Sequence, residues 1–345
     1  MLGNSRLQGL ATIGTKTASD HVPGLLTVLT AFCLLIGTAT ASQAQSYPDR
    51  PLRLIVPFPA GGTVDAVARS VAQKMSESLH QPVLVENRAG AAGSIGSVSV
   101  ARAAPDGYTL LMGTASTHGT NPAVQKSLPY DPVRDYAPVA LVASTPYILV
   151  VHPSVSAHSL PELLALAKAQ PGKLNYGSYG AGSSNHLATE LFRAISNADI
   201  VHVPYKGGAP AMSDLLAGQV QMMFDVFTTS GPHIRTGKLR LLGVGAPRRS
   251  ALAPDAPTLA EAGVPDFDAS TFFGIFAPVG TPRNVVMRLN EDINRALKTT
   301  DMRERLAAVG AEPGGGSPEL LGQTVVTEVA KWTQLVRDRN LRFEP

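Results

Sequence analysis

The sequence predicts an α/β fold built as two domains around a cleft. Three observations carry this. Strand-like and helix-like apolar patterns alternate along the chain after residue 46, polar glycine-rich turns follow several of the strands, and no low-complexity linker separates the halves. At 345 residues there is length for about two domains of roughly 100–200 residues each. With no single flexible join, the chain is expected to cross between them more than once. The expected division is an outer domain of 47–145 plus 271–345, with 146–270 inserted as the second.

The elements follow in order. Leu52 to Phe58 reads as a compact apolar strand that breaks at Pro59-Ala60-Gly61-Gly62. From Thr63, Val64, Val67, Ala68, Val71, Ala72, Met75 and Leu79 recur at three- and four-residue steps, the stripe of an amphipathic helix. Pro82–Val85 is a second strand, the Gly90–Gly93 turn opens a helix ending near Pro105, and Tyr108–Met112 is a third strand. Tyr147–Val151 begins the middle portion, and Ser159-Leu160-Pro161 caps and opens a helix. Strands are expected at Leu174–Ser178, Ile200–Val203, Val220–Phe224 and Leu239–Val244, with helices opening at Ser183/Ser184 and Pro210. Phe272–Ala277 reads as a buried strand, followed by helices over Pro282–Lys298, Met302–Val309 and Pro318 to about Arg339.

Composition narrows the function classes. Charged residues make up 16%, against a typical share of about 25%, and apolar residues 44%, so the chain has what it needs to bury a core. The formal charge is +3 without a Lys/Arg cluster, so no nucleic-acid partner is expected. No stretch after residue 46 offers the roughly 20 apolar residues of a membrane span. Ahead of it, Arg6 and Lys16 precede an apolar run from Gly24 to Gly37 and the small residues Thr38 to Ala44. That is the order of a secretory signal peptide over 1–44, cleaved after Ala41 or Ala44. The only cysteine, Cys33, leaves with it. The mature chain then has no disulfide, thiolate–metal site or cysteine nucleophile.

The glycine-rich turns are the candidate site. Pro57 to Asp65, Tyr176 to His186, Pro204 to Pro210 and Gly113 to Thr117, which includes Ser116, each follow a strand. In open α/β sheets ligands sit beyond the carboxyl ends of strands, where helix N-termini offer free N–H groups and a positive dipole end. Small residues let a ligand approach the backbone. Turns from both domains can thus clamp a carboxylate. Asp225, just after an apolar strand, falls at the expected cleft edge, where it either meets the ligand or serves as a turn or cap carboxylate. Asp65, in a first helical turn, is explained by the helix dipole and sits badly with a bound anion unless it orients its loop or binds a polar group of the ligand.

Catalytic constellations are poorer. Gly90-x-x-Gly93-x-x-Gly96 lacks the spacing of a dinucleotide fingerprint and reads as a helix start with packing glycines. Tyr176-Gly177-Ser178-Tyr179-Gly180 lacks the first glycine of a nucleophile elbow. The histidines after residue 46 show no paired-ligand spacing and read as mostly surface or locally bonded, so neither metal nor cofactor is expected. A secreted hydrolase or isomerase using Asp65, Asp225 or His186 as base is the rival reading, and no spacing supplies its partner groups.

At these residues the chain resembles a known family. The motifs are Pro57-Phe58-x-x-Gly61-Gly62-x-x-Asp65-x-x-Ala68-Arg69, Val85-Glu86-Asn87-Arg88-x-Gly90, Pro105 to Leu111 and Leu128-Pro129-Tyr130-Asp131-Pro132. They continue through Pro171 to Ser178, Val203-Pro204-Tyr205-Lys206-Gly207, Gly280-Thr281-Pro282 and Lys331-Trp332. In order and together they resemble the Bug-type extracytoplasmic solute receptors of tripartite tricarboxylate transport, over essentially the whole mature chain. The resemblance implies a type II periplasmic binding protein fold, with two α/β domains, a central cleft and hinge strands. It implies a small mono- or dicarboxylate held by backbone amides, hydroxyls and water. The matching positions are Phe58, Gly61, Gly62 and Thr63 in the first loop, Ser178, Gly182, Ser183, Ser184 and Asn185 in the second, and Tyr205, Lys206 and Gly207 in the third. Two positions depart from the pattern. Ala89 replaces a frequent proline, and Phe272-Phe273 stands where Trp or Tyr is common. The implied partner is a membrane permease or, alternatively, a sensor kinase ectodomain, with the receptor periplasmic and monomeric.

Overall fold

The computed structural model describes residues 47–343 and, ahead of them, Gly14 alone; the remainder of the expected signal segment lies outside the described residues. Two sheets organise the chain. The first has the order β11-β4-β10-β3-β1-β2, with β1 (Leu52–Val56), β2 (Val83–Asn87) and β3 (Thr109–Thr114) parallel. Running against β3 is β10 (Ser270–Pro278), which also pairs with the long β4 (Tyr136–Pro146); β11 (Glu312–Pro313) adds an edge. The second sheet has the order β7-β6-β8-β5-β9. Here β6 (Leu174–Ser178), β7 (Ile200–Pro204) and β8 (Met222–Asp225) are parallel, and β5 (Ile148–Val151) runs against both β8 and β9 (Arg240–Val244).

Helices cover both faces of each sheet, giving two α/β lobes with separate cores. Around the first sheet lie α1 (Thr63–Leu79), α2 (Ser94–Ala101), the short α3 (Asn121–Val124), α8 (Arg283–Leu297) and α9 (Thr300–Ala308). The apolar stripe of α1 buries Val67, Ala68, Val71, Ala72, Met75 and Leu79 against Leu52, Leu54 and Leu110. Around the second sheet lie α4 (Leu160–Ala169), α5 (Ser184–Ser196), α6 (Gly208–Leu216) and α7 (Phe227–Arg235). Tyr176, Phe192, Phe224 and Phe267 fill that core. Ser159 caps α4 as its sequence predicts, accepting the Glu162 N–H; Thr299 and Ser317 cap α9 and the last helix, α10 (Pro318–Asp338), in the same way.

Three segments pass between the lobes. β4 runs into β5 through Pro146-Tyr147, and the stretch after β9 returns to β10 through Ala269. These two are laced together: Tyr147 N–H donates to Ala269 O at 3.0 Å, Gly245 N–H to Tyr147 O at 2.7 Å, and Ala269 N–H to Gly245 O at 2.9 Å. The third is α10, which buries Leu321 and Val325 beside Phe276 of the first sheet, then Trp332 and Leu335 in the core of the second. Pro146 pairs with Ser270 beside the carboxyl end of β3, and Ile148 pairs with Asp225 at the carboxyl end of β8. The crossings therefore leave one sheet and enter the other at carboxyl edges, which turns those edges toward each other.

Two elements depart from the sequence reading. β4 (Tyr136–Pro146) falls where the sequence reading places no strand, a stretch broken by Pro138 and Pro146, while the strand expected at Tyr147–Val151 is β5. α7 (FTTSGPHIR) carries β-branched residues, Gly231 and Pro232, a loop-like composition that tertiary packing overrides.

Candidate functional site

In the first sheet β1 lies between β2 and β3, so the chain turns to opposite sides after β1 and after β2; in the second, β6 is flanked by β7 and β8 in the same way. These are topological switch points, where neighbouring loops diverge and leave a crevice. The candidate turns issue from them: Pro57–Gly62 after β1, Ala115–Thr120 after β3, Tyr179–Ser183 after β6 and Tyr205–Gly207 after β7.

Phe58 is half-buried, its ring packed toward Gly93, while its carbonyl accepts Asn87 Nδ2 at 3.1 Å. Gly61 takes φ +85°, a left-handed conformation, and has open space where a side chain would stand. Gly62 caps α1 and Thr63 is its first residue. Asp65 is the brace of this loop. Its carboxylate accepts Gly61 N–H at 3.0 Å, Arg69 Nε at 2.9 Å and Asn87 Nδ2 at 2.9 Å. Chiefly through the Arg69 bond, its carboxyl is held down at about 2. The dipole explanation was thus incomplete, because Asp65 orients the loop.

The second loop is more tightly tied. Ser178 is buried with Oγ 2.6 Å from His202 Nε2. Gly182 takes φ +77° and donates its N–H to His186 Nδ1 at 3.1 Å. Ser183 caps α5, its Oγ 2.6 Å from Gly180 O and 2.9 Å from Asn185 Oδ1. Asn185 is sealed inside, its amide spanning Tyr179 N–H and Phe224 O. Tyr205 turns away to α6, its hydroxyl donating to Asp214 at 2.7 Å; burial first and that carboxylate second push its phenol up to about 12. Lys206 is exposed, and Gly207, at φ +109°, caps α6. Tyr205 and Gly207 donate their N–H groups to Ser178 O and Tyr179 O, so the second and third loops form one unit.

Asp225 is fully buried. Its oxygens accept hydrogen bonds from Tyr179, from Thr229 at 2.5 Å and from Ser230. Across the lobes the two serine turns meet, Ser116 Oγ standing 3.1 Å from Ser184 Oγ. No hydrogen bond among the described residues joins the first loop to the loops of the second sheet.

A cavity of about 600 Å3 lies beside these loops, walled by Ala92, Asn121 and Lys126 of the first lobe and by Tyr179 to Ser183 of the second, with Phe343. A second, of about 660 Å3, is walled by Tyr179, Met212, Leu216, Asp225, Val226 and Thr229. Tyr179 stands between the two. Sequence reasoning quoted Tyr179 without choosing it and missed Asn121, Lys126 and Tyr147. Tyr147 lies beside Ser184 and Asp225, burial raising its phenol and the Ser184 hydroxyl opposing this. An aromatic inside a glycine-rich loop was the available signal for Tyr179; the others had none.

Of the seven histidines after residue 46, His118 and His186 are buried, each bonded close by in the chain, to Thr117 and to Gly182. His118 is sealed, stacked on Phe276 with centroids 4.0 Å apart, and burial lowers it to about 3. His186 and His202 stack beneath the second loop.

Two lobes joined by laced crossings, with hydroxyl- and glycine-lined turns at facing switch points, define a solute-binding protein. Comparison with known proteins makes this specific. Residues 67–341 match the family model described as tripartite tricarboxylate transporter family receptor, and the chain belongs to that family of periplasmic solute receptors. Protein BugT of Bordetella pertussis is 39% identical over 321 residues, covering 93% of this chain and 98% of BugT. An R. palustris protein solved with adipate is 38% identical, with TM-score 0.74, covering 86% of this chain and 99% of that one. MatC of Rhodopseudomonas palustris, solved with bound malate, is 36% identical with TM-score 0.70, covering 84% of this chain and 100% of MatC.

Proposed function

We propose that the chain is a periplasmic receptor that captures a small mono- or dicarboxylate between its lobes and delivers it to the membrane permease of a tripartite transporter. On this reading, 1–44 direct export, 47–145 with 271–345 form one domain, 146–270 form the other, and rotation about the crossings at Tyr147 and Ala269 closes the cleft. The observation that carries it is the meeting of the Ser116 and Ser184 turns, which brings loops from both switch points to one place. The N-termini of α1, α5 and α6 close the candidate turns and have no side-chain cap, leaving N–H groups for an anion, each helix end worth about 0.3–1 kcal/mol. The site residues proposed to face the solute are Phe58, Gly61, Gly62, Thr63, Ser116, Gly182, Ser183, Ser184, Lys206 and Gly207, with Ser178, Asn185, Tyr205 and Asp225 holding these turns from within. Adipate and malate in relatives' structures support the ligand class.

The test is thermal unfolding of the mature protein, stripped of solute by unfolding and refolding, against mono-, di- and tricarboxylates, amino acids and sugars. A ligand at 100 times its Kd adds about 2.7 kcal/mol of stability, which raises the midpoint by several degrees. A shift with a sugar and with no acid would overturn the proposal.

A further inference from the structure

Beneath the second loop lie two parallel imidazoles. The rings of His186 and His202 are 3.9 Å apart between centroids and 9° from coplanar, and Tyr176 stacks on His202 at 4.8 Å. Each histidine holds the loop at a different point. His202 Nε2 meets Ser178 Oγ, which in turn accepts the Gly180 N–H at 3.2 Å. His186 Nδ1 accepts the Gly182 N–H at 3.1 Å. A backbone N–H only donates, so this bond requires a neutral His186 with its proton on Nε2.

We infer that His186 is a positioning residue of the binding loop, and that its neutral form alone holds Gly180–Ser183 in place. This rests on the reading that the loop faces the solute. A proton added at Nδ1 would set two N–H donors against each other at Gly182, and the loop must then move off the ring. Burial, His202 and Arg193 favour the neutral ring, and Glu190 alone draws a proton toward it. Glu190 and Arg193 face the ring from α5 itself, with His186 Nε2 3.9 Å from Glu190 Oε1 and Arg193 Nη1 2.6 Å from the same oxygen. Tyr176 of β6 also donates to Glu190, at 2.6 Å, so that carboxylate is already committed to two other donors. His202 of β7 is the remaining titratable neighbour, and Phe343 covers the edge. A proton on either ring repels a second one on its stacked partner. Burial foremost, with His202 adding to it, lowers His186 to about 4.

The test is an NMR titration of the ligand-free, 15N-labelled mature protein from pH 7 to 3.5, following the Gly182 amide and the imidazole nitrogens. The inference expects His186 Nδ1 unprotonated at pH 7, and the Gly182 amide moving with the midpoint of His186. A Gly182 amide that stays fixed through that midpoint, or that follows His202 instead, overturns it; this readout needs neither a variant nor a ligand. The companion experiment measures adipate and malate affinity in wild type and in His186→Asn, whose Oδ1 replaces Nδ1 as acceptor without titrating. Protonation of the ligand's own carboxylates is common to both proteins. Wild type should lose affinity more steeply, by up to about a further tenfold per pH unit below the His186 midpoint. Parallel profiles would overturn the inference. Failure of both acids to bind at pH 7 would count against the receptor reading, while the amide titration still decides the role of His186.

Discussion

The hydroxyls of Ser116 and Ser184 meet at 3.1 Å, joining the turn after β3 of one sheet to the first turn of α5 on the other. Their chain separation is 68 residues, and both are half-buried, so the contact exists only because the crossings turn the carboxyl edges inward. Bulk introduced there fills the cleft while leaving both cores untouched. The double variant Ser183→Leu/Ser184→Leu should lose at least about 100-fold in acid affinity, measured calorimetrically, with a melting point within a few degrees of wild type. Unchanged affinity would remove this turn from the site.

Asp65 gathers the first loop through Gly61, Arg69 and Asn87. Asp65→Ala should lower stability by about 1–3 kcal/mol, because a part-buried N–H and an amide lose their acceptor. Its carboxyl lies near 2 when folded, against an ordinary value of 3.8. The sign follows directly: the contribution is complete above about 4 and is lost as pH falls toward 2. Urea midpoints of the two proteins should therefore converge in that acid range and stay apart at neutral pH.

Among the described residues Asp225 makes no ion pair, and its oxygens are occupied by Tyr179, Thr229 and Ser230. Asp225→Ala would strand the Tyr179 and Ser230 hydroxyls, Thr229 keeping Val226 O as acceptor, and should cost about 2–4 kcal/mol. Tyr179→Phe keeps the ring and should cost less, about 1 kcal/mol, while changing ligand preference through the wall it forms between the cavities. Equal losses of stability in chemical denaturation would contradict a brace at Asp225.

Gly245 lies in the laced crossing proposed as the hinge. A Cβ there would lie 3.0 Å from Tyr147 O and 2.9 Å from the Phe267 ring, inside the laced crossing. Gly245→Val should destabilise by about 1–3 kcal/mol and slow ligand association, as stopped-flow fluorescence would record. Association at the wild-type rate would place the hinge elsewhere.

Much of this architecture was legible from periodicity alone. β6 and the start of α5 fall where the alternation and the serine cap put them, and the spacing Gly90, Gly93, Gly96 reads correctly as packing: a Cβ on Gly96 would meet Pro57 Cα at 2.8 Å and Arg88 O at 2.9 Å. β4 was not legible, because a strand carrying Pro138 and Pro146 and paired with bulges owes its form to β10. The side-chain directions within the candidate loops were hidden too. Asn185 and Tyr205 share motifs with Ser184 and Gly207, yet one is sealed against Phe224 and the other turns to Asp214. Sequence order cannot separate residues that face a ligand from those that hold them. The stacking of His186 on His202 was hidden for the same reason, since it joins a helix residue to a strand residue 16 positions on and carries no local signature.

The most direct measurement is the amide NMR spectrum of the 15N-labelled mature protein with and without saturating adipate or malate. A carboxylate held between the facing switch points should move the amides of Gly61–Thr63, Ser116, Gly180–Asn185 and Gly207 most. Quiet amides at those positions, with the largest changes instead around Leu164, Lys168 and Asn197, where another cavity of about 630 Å3 opens on the second lobe, would contradict the account.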